Sequence, residues 1–232
     1  MPDDCTLVLL PGAGLGPRLW TRLPEYLSLP VLAVTYPKGP DKRLQDYLDH
    51  IIREIDGSRV GEMIVVAHSI GGCLAPQLCA HYGPRVKGLL AIGAVIPRSG
   101  NSFAGSMPAP QRWILPLLLR WFGTRAPDEA IRNELCHDLD REQTAQVIEN
   151  FAPESRHLYT DRVVYATLPD RRCYLRLTDD RSLSQHLQSQ MIETLGATQV
   201  HELPCGHLPM LSRPAELAGI LEDFATEACP SK

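Results

Sequence analysis

Ser69 has the sequence setting of a covalent nucleophile. Residues 65–72 read Val-Val-Ala-His-Ser-Ile-Gly-Gly, so this serine stands between Ala67 and Gly71 at the end of an apolar run. The spacing is close to G-x-S-x-G, in which a tight strand-to-helix turn lifts the serine oxygen above a sheet and small neighbours let the two backbones pass closely. Ala67 replaces the first glycine of that pattern. Because a bare S-x-G also occurs where a serine simply caps a helix, the interpretation needs partners elsewhere in the chain.

An acid and a histidine follow in the order that such a nucleophile requires. Asp180 and its neighbour Asp179 come directly after one later apolar run, and His207 follows the next. Both positions are ends of predicted strands, where open α/β sheets place their sites. Taken alone, His207 fits a core or surface histidine equally well, but a loop position behind Gly206 favours function. The order predicts that His207 takes the proton of Ser69 and that Asp180 orients the imidazole, with Asp179 as the weaker candidate for the acid.

A glycine-rich loop after the first apolar run predicts the site for a developing negative charge. Residues 10–16 read Leu-Pro-Gly-Ala-Gly-Leu-Gly. We predict an oxyanion hole formed by the backbone N–H groups of Ala13 and Ile70. A dinucleotide-binding loop is the competing interpretation. It is rejected because Pro17 breaks the G-x-G-x-x-G pattern, and because Lys38 stands where the ribose-binding acid would follow the second strand.

Alternating apolar runs and amphipathic stretches predict the elements that hold these loops. The predicted strands are 6–10, 31–36, 63–67, 86–96, 173–178 and 199–203. The predicted helices are 42–56, 69–82, 183–195 and 214–228. Continuous aliphatic runs without polar alternation are typical of parallel strands buried on both faces. The pattern predicts an α/β fold with a mostly parallel central sheet flanked by helices.

The segment 98–170 interrupts the alternation, because it contains no clear strand and many prolines. We interpret it as a helical cap inserted between two parts of the core, 1–97 and 171–232. Its apolar residues are predicted either to line a pocket or to pack the cap against the core. The predicted pocket residues, from the cap and from the loops, are Gly12, Phe103, Trp113, Trp121, Leu183 and Leu208.

Composition limits the function classes. The chain has 232 residues, of which 44% are hydrophobic and 22% charged, which suits one sizeable core and excludes a disordered protein. The net charge is −4 and no basic tract is present, so no nucleic-acid partner is expected. The apolar runs, including 117–119 in the cap, are much shorter than the roughly 20 residues of a membrane span, so no membrane partner is expected.

Cysteine usage and the chain start predict a cytoplasmic protein. The seven cysteines are odd in number and form no C-x-x-C pair, so neither a disulfide framework nor a zinc site is expected. Several lie in apolar segments, where cysteine behaves as a small hydrophobic residue. The acidic start, Met-Pro-Asp-Asp, is unlike a signal peptide.

Four blocks of the sequence resemble one family. The chain is similar to the α/β-hydrolase superfamily, in the branch of plant methylesterases, hydroxynitrile lyases and their bacterial relatives. The similar blocks are the Gly12-Ala13 loop ending in Trp20, the segment 67–72, Thr178-Asp179-Asp180 with Leu183 and Gln188, and 206–214. The resemblance implies a serine hydrolase that cleaves a small, largely apolar carboxylic ester through an acyl-enzyme, without cofactor or metal. It also places the family's catalytic acid on Asp180.

Two departures from the family bear on the reaction. Hydroxynitrile lyases of this branch have Thr where Gly12 stands and Lys directly after the catalytic histidine, where this chain has Leu208. Without that cation nothing obvious stabilises a departing cyanide, so a carbon–carbon lyase is a minor alternative. A ligand receptor that keeps the fold with little turnover is the other alternative, and a homodimer is left open.

Overall fold

A parallel six-stranded sheet forms the centre of the molecule. The structure is a computed structural model that describes residues 5–229. The sheet order is β2-β1-β3-β4-β5-β6, and every pairing among the described strands is parallel. This arrangement confirms the predicted fold class. The strands are β1 (Cys5–Leu10), β2 (Val31–Ala33), β3 (Glu62–His68), β4 (Val86–Ile92), β5 (Arg172–Leu177) and β6 (Gln199–Leu203).

Helices cover both faces of the sheet. Helix α1 (Leu44–Gly57) buries one stripe of side chains from Leu44 to Ile55, as its apolar spacing predicts. The same face is covered by α2 (Ala75–Tyr82) and, later in the chain, by a helix at Gln185–Leu195. The opposite face is covered mainly by a helix at Pro214–Ala228. Because both faces are covered, the aliphatic side chains of the central strands are buried on each side.

Between β4 and β5 the described chain contains helices and loops but no strand. The helices are α3 (Phe103–Ser106), α4 (Gln111–Phe122), α5 (Asp128–Ala130), a π-helical turn at Ile131–Leu135, α6 (Arg141–Asn150) and α7 (His157–Thr160). The chain then completes the core with α8 (Gln185–Leu195), α9 (Pro209–Ser212) and α10 (Pro214–Ala228). Within residues 5–229 we find no helix that is both long and apolar enough to cross a membrane.

Several predicted elements are shorter in the structure. The strand predicted at 31–36 ends at Ala33, and the one predicted at 86–96 ends at Ile92. The neighbouring strand β1 ends at Leu10, so the last part of 31–36 has no strand to pair with. The helix predicted at 69–82 is divided into a 3₁₀ turn at Ser69–Cys73 and α2. The two strands end where the neighbouring strand stops pairing with them, which the local sequence pattern does not show.

The cysteine expectation needs a correction. Cys5, the first residue of β1, forms a disulfide with Cys229, directly after α10, and their Cα atoms are 6.6 Å apart. The other five cysteines are buried and free. A separation of 224 residues hides this pair from any spacing argument. Only the packing of α10 on the sheet brings the two thiols together.

Candidate active site

The strand order brings the two site-forming loops together. The chain passes from β1 to β2 at one edge and returns to β3 on the other side of β1, which makes a topological switch point between β1 and β3. The register pairs Leu10 with Ala67 at the ends of these strands. The glycine-rich loop after β1 therefore lies beside Ser69, as the oxyanion-hole hypothesis requires.

Ser69 occupies a strained turn. Its backbone φ is 53°, in the left-handed region that residues other than glycine rarely adopt. Residues with such strained backbones cluster at functional sites. A Cβ at Gly71 would lie 3.1 Å from the carbonyl oxygen of Leu10, and one at Gly72 would collide with the carbonyl oxygen of Val95. The turn thus needs small residues for the predicted reason, and Gly72 is the stricter of the two positions.

His207 and Asp180 form a buried pair. The Nδ1–H of His207 donates to Oδ2 of Asp180 at 2.7 Å, and the side chains are 2% and 0% exposed. The pairing of Leu177 with Leu203 at the ends of β5 and β6 holds the two following loops side by side. Asp179 is absent from this contact; it lines a separate cleft on the surface.

Asp180 is held in its charged form. Burial by itself would raise its pKa, but the charge and hydrogen bond of His207 outweigh that effect and lower the pKa below its ordinary value. The backbone N–H groups of Ser182 and Leu183 donate to Oδ1 at 2.7 and 3.0 Å and act in the same direction. A carboxylate in this setting orients the imidazole and stabilises its protonated form.

His68 supports His207 without acting as a second base. It is fully buried, and its Nε2–H donates to the carbonyl oxygen of His207 at 2.8 Å. Burial, and then the neighbouring charge of His207, lower the pKa of His68 to about 3, so the ring is neutral at ordinary pH. The ring also explains Gly12, because a Cβ there would lie 2.9 Å from Nδ1 of His68.

A cavity of about 170 Å³ joins the reacting groups. Ser69, His207, Ala13 and Ile70 all contribute to its wall. Ile70 lies in the first turn of the 3₁₀ segment, where backbone N–H groups lack a partner within the helix. The remaining wall is mostly apolar and is formed by Leu15, Phe103, Thr124, Ala126, Ala130, Ile131, Glu134, Leu135, Phe151, Tyr159 and Ser182.

The placement of the predicted pocket residues requires a correction. Of the six, only Phe103 belongs to the cavity wall. Gly12, Leu183 and Leu208 are buried behind it in the packing of the core. Trp113 and Trp121 lie on the outer face of α4, where they are 62% and 76% exposed. The insertion contributes instead through Ala130 of α5, residues of the 131–135 turn that follows it, Tyr159 of α7 and nearby loop residues, which no sequence spacing distinguishes from the rest of the insertion.

Two acidic residues of the insertion that sequence analysis missed hold the site loops. Oδ2 of Asp138 accepts the backbone N–H of Gly206 at 2.7 Å, directly before His207. Glu154 is buried and accepts from Tyr47 at 2.9 Å and from the backbone N–H of Gly14. Burial raises the pKa of Glu154, opposed by Lys38 and these donors. No local motif marks either contact, because each one spans a long separation in sequence.

Within the described residues, no group of three or more His, Cys, Asp or Glu side chains is arranged to hold a metal ion. The cavity wall includes Ser69 and His207, with Ala13 and Ile70 beside them. A strained serine, an imidazole held by a carboxylate and free N–H groups suit nucleophilic attack on a carbonyl carbon.

Proteins in which a nucleophile follows a buried parallel strand on such a turn form the α/β-hydrolase class. The model of the "Alpha/beta hydrolase family" matches residues 7–220, and this chain belongs to that family. The resemblance drawn from the sequence is thereby confirmed.

Similar proteins include members of the expected branch. Norfluorocurarine synthase 2 from Strychnos nux-vomica is 24% identical, with 94% of each chain covered. An extracellular α/β-hydrolase from a Paenibacillus species has a similar structure, with a TM-score of 0.85, 19% identity and coverage of 98% of this chain and 100% of that one. A methylesterase from Arabidopsis is also similar in structure, with a TM-score of 0.79 and 16% identity. The match covers 96% of this chain and 99% of that one. At these identities the structural likeness establishes the fold.

Proposed function

We propose that this protein is a serine hydrolase that cleaves a small, largely apolar carboxylic ester through Ser69, His207 and Asp180. The observation that carries the proposal is the 2.7 Å contact between His207 and the charged Asp180, on an imidazole that shares one cavity with the strained Ser69. The similarity to a methylesterase and to another α/β-hydrolase supports it.

The proposed reaction proceeds through an acyl-enzyme. The Oγ of Ser69 attacks the acyl carbon while its proton passes to Nε2 of His207, and the carbonyl oxygen becomes an oxyanion held by the N–H groups of Ala13 and Ile70. The tetrahedral intermediate collapses, and the alkoxide leaves with the proton from His207. Water, deprotonated by the same imidazole, then attacks the acyl carbon and releases the acid and Ser69. Asp180 stays ionised throughout and stabilises the imidazolium.

The cavity supports a small substrate. Its volume of about 170 Å³ lies below the range of roughly 300–1,000 Å³ that is typical of ligand pockets. The wall is mainly apolar, and Glu134 adds a carboxylate to it. We therefore infer that the acyl and alcohol groups are short. Substrates that carry a negative charge are disfavoured, because the Glu134 carboxylate would repel them.

The lyase alternative gains no support from the cavity. Histidine aside, no basic side chain belongs to its wall among the described residues. Leu208, which stands directly after His207, is fully buried in the core. We expect no cyanide release above background from mandelonitrile, because a departing cyanide would meet no cation there.

A cytoplasmic location stays part of the proposal. Five buried free thiols fit a reducing compartment, whereas the Cys5–Cys229 disulfide is of the kind that persists in oxidising ones. Fractionation of its native cells, with an antibody against this protein as the readout, tests the location. Recovery in the cytoplasmic fraction would support it, and recovery in the medium or in a secretory compartment would contradict it.

A matched pair of serine variants tests the mechanism. A fluorophosphonate probe should label Ser69 in the wild-type protein, and Ser69→Ala should lose both the label and ester hydrolysis, the latter by about 10³-fold or more. Ser182→Ala is the control, because Ser182 lines the same cavity and holds Asp180 through its backbone N–H alone. A panel of p-nitrophenyl esters of increasing acyl length gives the readout. Ester hydrolysis by Ser69→Ala at the wild-type rate would contradict the proposed mechanism.

A further inference from the structure

The outer face of α4 is apolar and uncovered. Six of the nine large hydrophobic side chains that are exposed within residues 5–229 belong to this one helix. Surface apolar residues are common singly, but a contiguous set marks an interaction site. We call this set the α4 face: Trp113 (62% exposed), Ile114 (45%), Leu117 (59%), Leu118 (47%), Trp121 (76%) and Phe122 (81%).

The α4 face is one continuous stripe. Its members recur as pairs every four residues, which at roughly 100° per residue covers about half of the helix circumference. Leu115 and Leu119 lie on the opposite side, where Leu119 is buried and Leu115 packs on the main core. The helix is therefore anchored by one side, while the whole of the other side faces outward.

The charged residues of α4 have one sign. The helix contains two arginines, Arg112 and Arg120, and no aspartate or glutamate, in a chain whose net charge is −4. Neither arginine forms an ion pair with a described residue, whereas Arg125, which follows the helix, is paired with Asp128. The guanidinium of Arg112 lies 4.6 Å from the ring centre of Trp113, at the edge of the apolar stripe.

We propose that the α4 face docks on an anionic lipid surface. An apolar stripe with tryptophans and flanking cations is the pattern of a helix that lies in the plane of a membrane interface, where rings enter the headgroup region and arginines meet lipid phosphates. A second copy of the chain is disfavoured as the occupant, because pairing two such faces would bring their unpaired arginines together. The expectation of no membrane partner rested on the lack of a spanning run, which an interfacial helix does not need.

The α4 face adjoins the cavity that holds Ser69. Thr124 and Ala126, which follow α4 directly, form part of the cavity wall. A docked α4 would hold that wall against the lipid, from which an apolar ester could enter. Docking itself needs no chemistry at Ser69, so the Ser69→Ala variant should bind vesicles as well as the wild type does.

Tryptophan fluorescence gives a direct readout of docking. The chain has three tryptophans, of which Trp20 is buried and the other two belong to the α4 face. The purified protein is titrated with vesicles of phosphatidylcholine alone and of phosphatidylcholine mixed with phosphatidylglycerol. We expect a blue shift and co-sedimentation with the mixed vesicles, and much weaker binding to phosphatidylcholine alone.

Two pairs of variants separate the apolar and the charged parts of the proposal. Leu118→Ser/Phe122→Ser should weaken co-sedimentation by about tenfold or more, while Val164→Ser, which alters another exposed apolar residue, should not. Arg112→Gln/Arg120→Gln should weaken binding by about fivefold or more, and Arg53→Gln, on α1, should leave it unchanged.

Several outcomes would overturn the proposal. They are a failure of the wild type to sediment with mixed vesicles, equal binding to uncharged vesicles, or full binding by Leu118→Ser/Phe122→Ser. A wild-type dimer in analytical ultracentrifugation that Phe122→Ser converts to monomer would assign the α4 face to a second copy instead. A wild-type protein that binds the mixed vesicles but hydrolyses no ester of the panel would count against the proposed function only.

Discussion

Strand β3 and helix α4 are both apolar in sequence, but the strand is buried and one side of the helix is exposed. Residues 63–67 of β3 are completely buried between two helical layers, and they end in the turn that strains Ser69. In α4, the side chains of Trp121 and Phe122 are 76% and 81% exposed. An apolar segment gains free energy from burial. Only the packing of the rest of the chain shows whether the protein itself buries that segment.

The largest expected effect concerns the charged pair beyond the buried strands. Asp180→Asn should lower kcat by about 10²–10⁴-fold, because the imidazole of His207 loses the carboxylate that orients it and stabilises its charge. Asp179→Asn is the matched control and should cost far less, since Asp179 lies outside the pair. Steady-state kinetics on one p-nitrophenyl ester measure both variants. The reverse ranking would move the role to Asp179 and break the agreement between geometry and function at this edge of the sheet.

A stability pair tests the comparison directly. Ile64→Ala in β3 should lower the free energy of unfolding by about 2–5 kcal/mol, because it leaves a cavity in a filled core. Leu117→Ala in α4 should change it by no more than about 0.5 kcal/mol, as is usual for exposed positions. Urea unfolding followed by circular dichroism measures both. A cost above about 1 kcal/mol for Leu117→Ala would mean that the α4 face is already covered in the isolated protein.

A smaller effect tests the link between the insertion and the site. Asp138→Ala should lower kcat by up to about tenfold with little change in KM, because the loop that carries His207 loses the acceptor of the Gly206 N–H. Asp138→Asn keeps an oxygen acceptor and should restore most of the rate. Glu149→Ala changes another exposed acid of the insertion and serves as the control. If Asp138→Asn and Asp138→Ala were equally impaired, the hydrogen bond would not be the cause.

The last expected effect is a pH dependence of stability at the end of β3. The unfolded chain protonates His68 near its ordinary pKa of 6.5, whereas the folded protein leaves it neutral down to about 3. The unfolded state therefore binds more protons in this window, and the free energy of unfolding should fall by about 1.4 kcal/mol for each pH unit as the pH drops below 6.5.

Urea unfolding between pH 6.5 and 4.5 measures this slope, and His68→Gln should flatten it. The lowered pKa of Asp180 changes the free energy of unfolding only at lower pH. The raised pKa of Glu154 has the opposite effect on that free energy, because the folded state keeps the Glu154 proton to higher pH than the unfolded state does. His68→Gln is therefore also compared on a Glu154→Gln background. An unchanged slope in His68→Gln would assign the dependence to other groups.

The sequence by itself determined the sheet and the positions at which chemistry was to be expected. Aliphatic runs identify buried parallel strands because each residue contributes to burial locally, and the stripe of α1 follows from helical spacing alone. Ser69, Asp180 and His207 could be named because each lies within four residues of the end of a strand. The family resemblance then chose Asp180 over its neighbour Asp179. The small residues around Ser69 express a steric limit within one turn, which is also local.

Only the tertiary structure decided what surrounds those positions. The cavity wall, the contact of Asp138 with Gly206 and the Cys5–Cys229 pair all join segments that are far apart in sequence. Such contacts depend on how helices pack over the sheet, and packing energy is summed over many neighbours that no single segment encodes. For the same reason the sequence predicts that the apolar residues of α4 line a pocket or pack the cap against the core, whereas the fold leaves half of the helix circumference exposed to solvent.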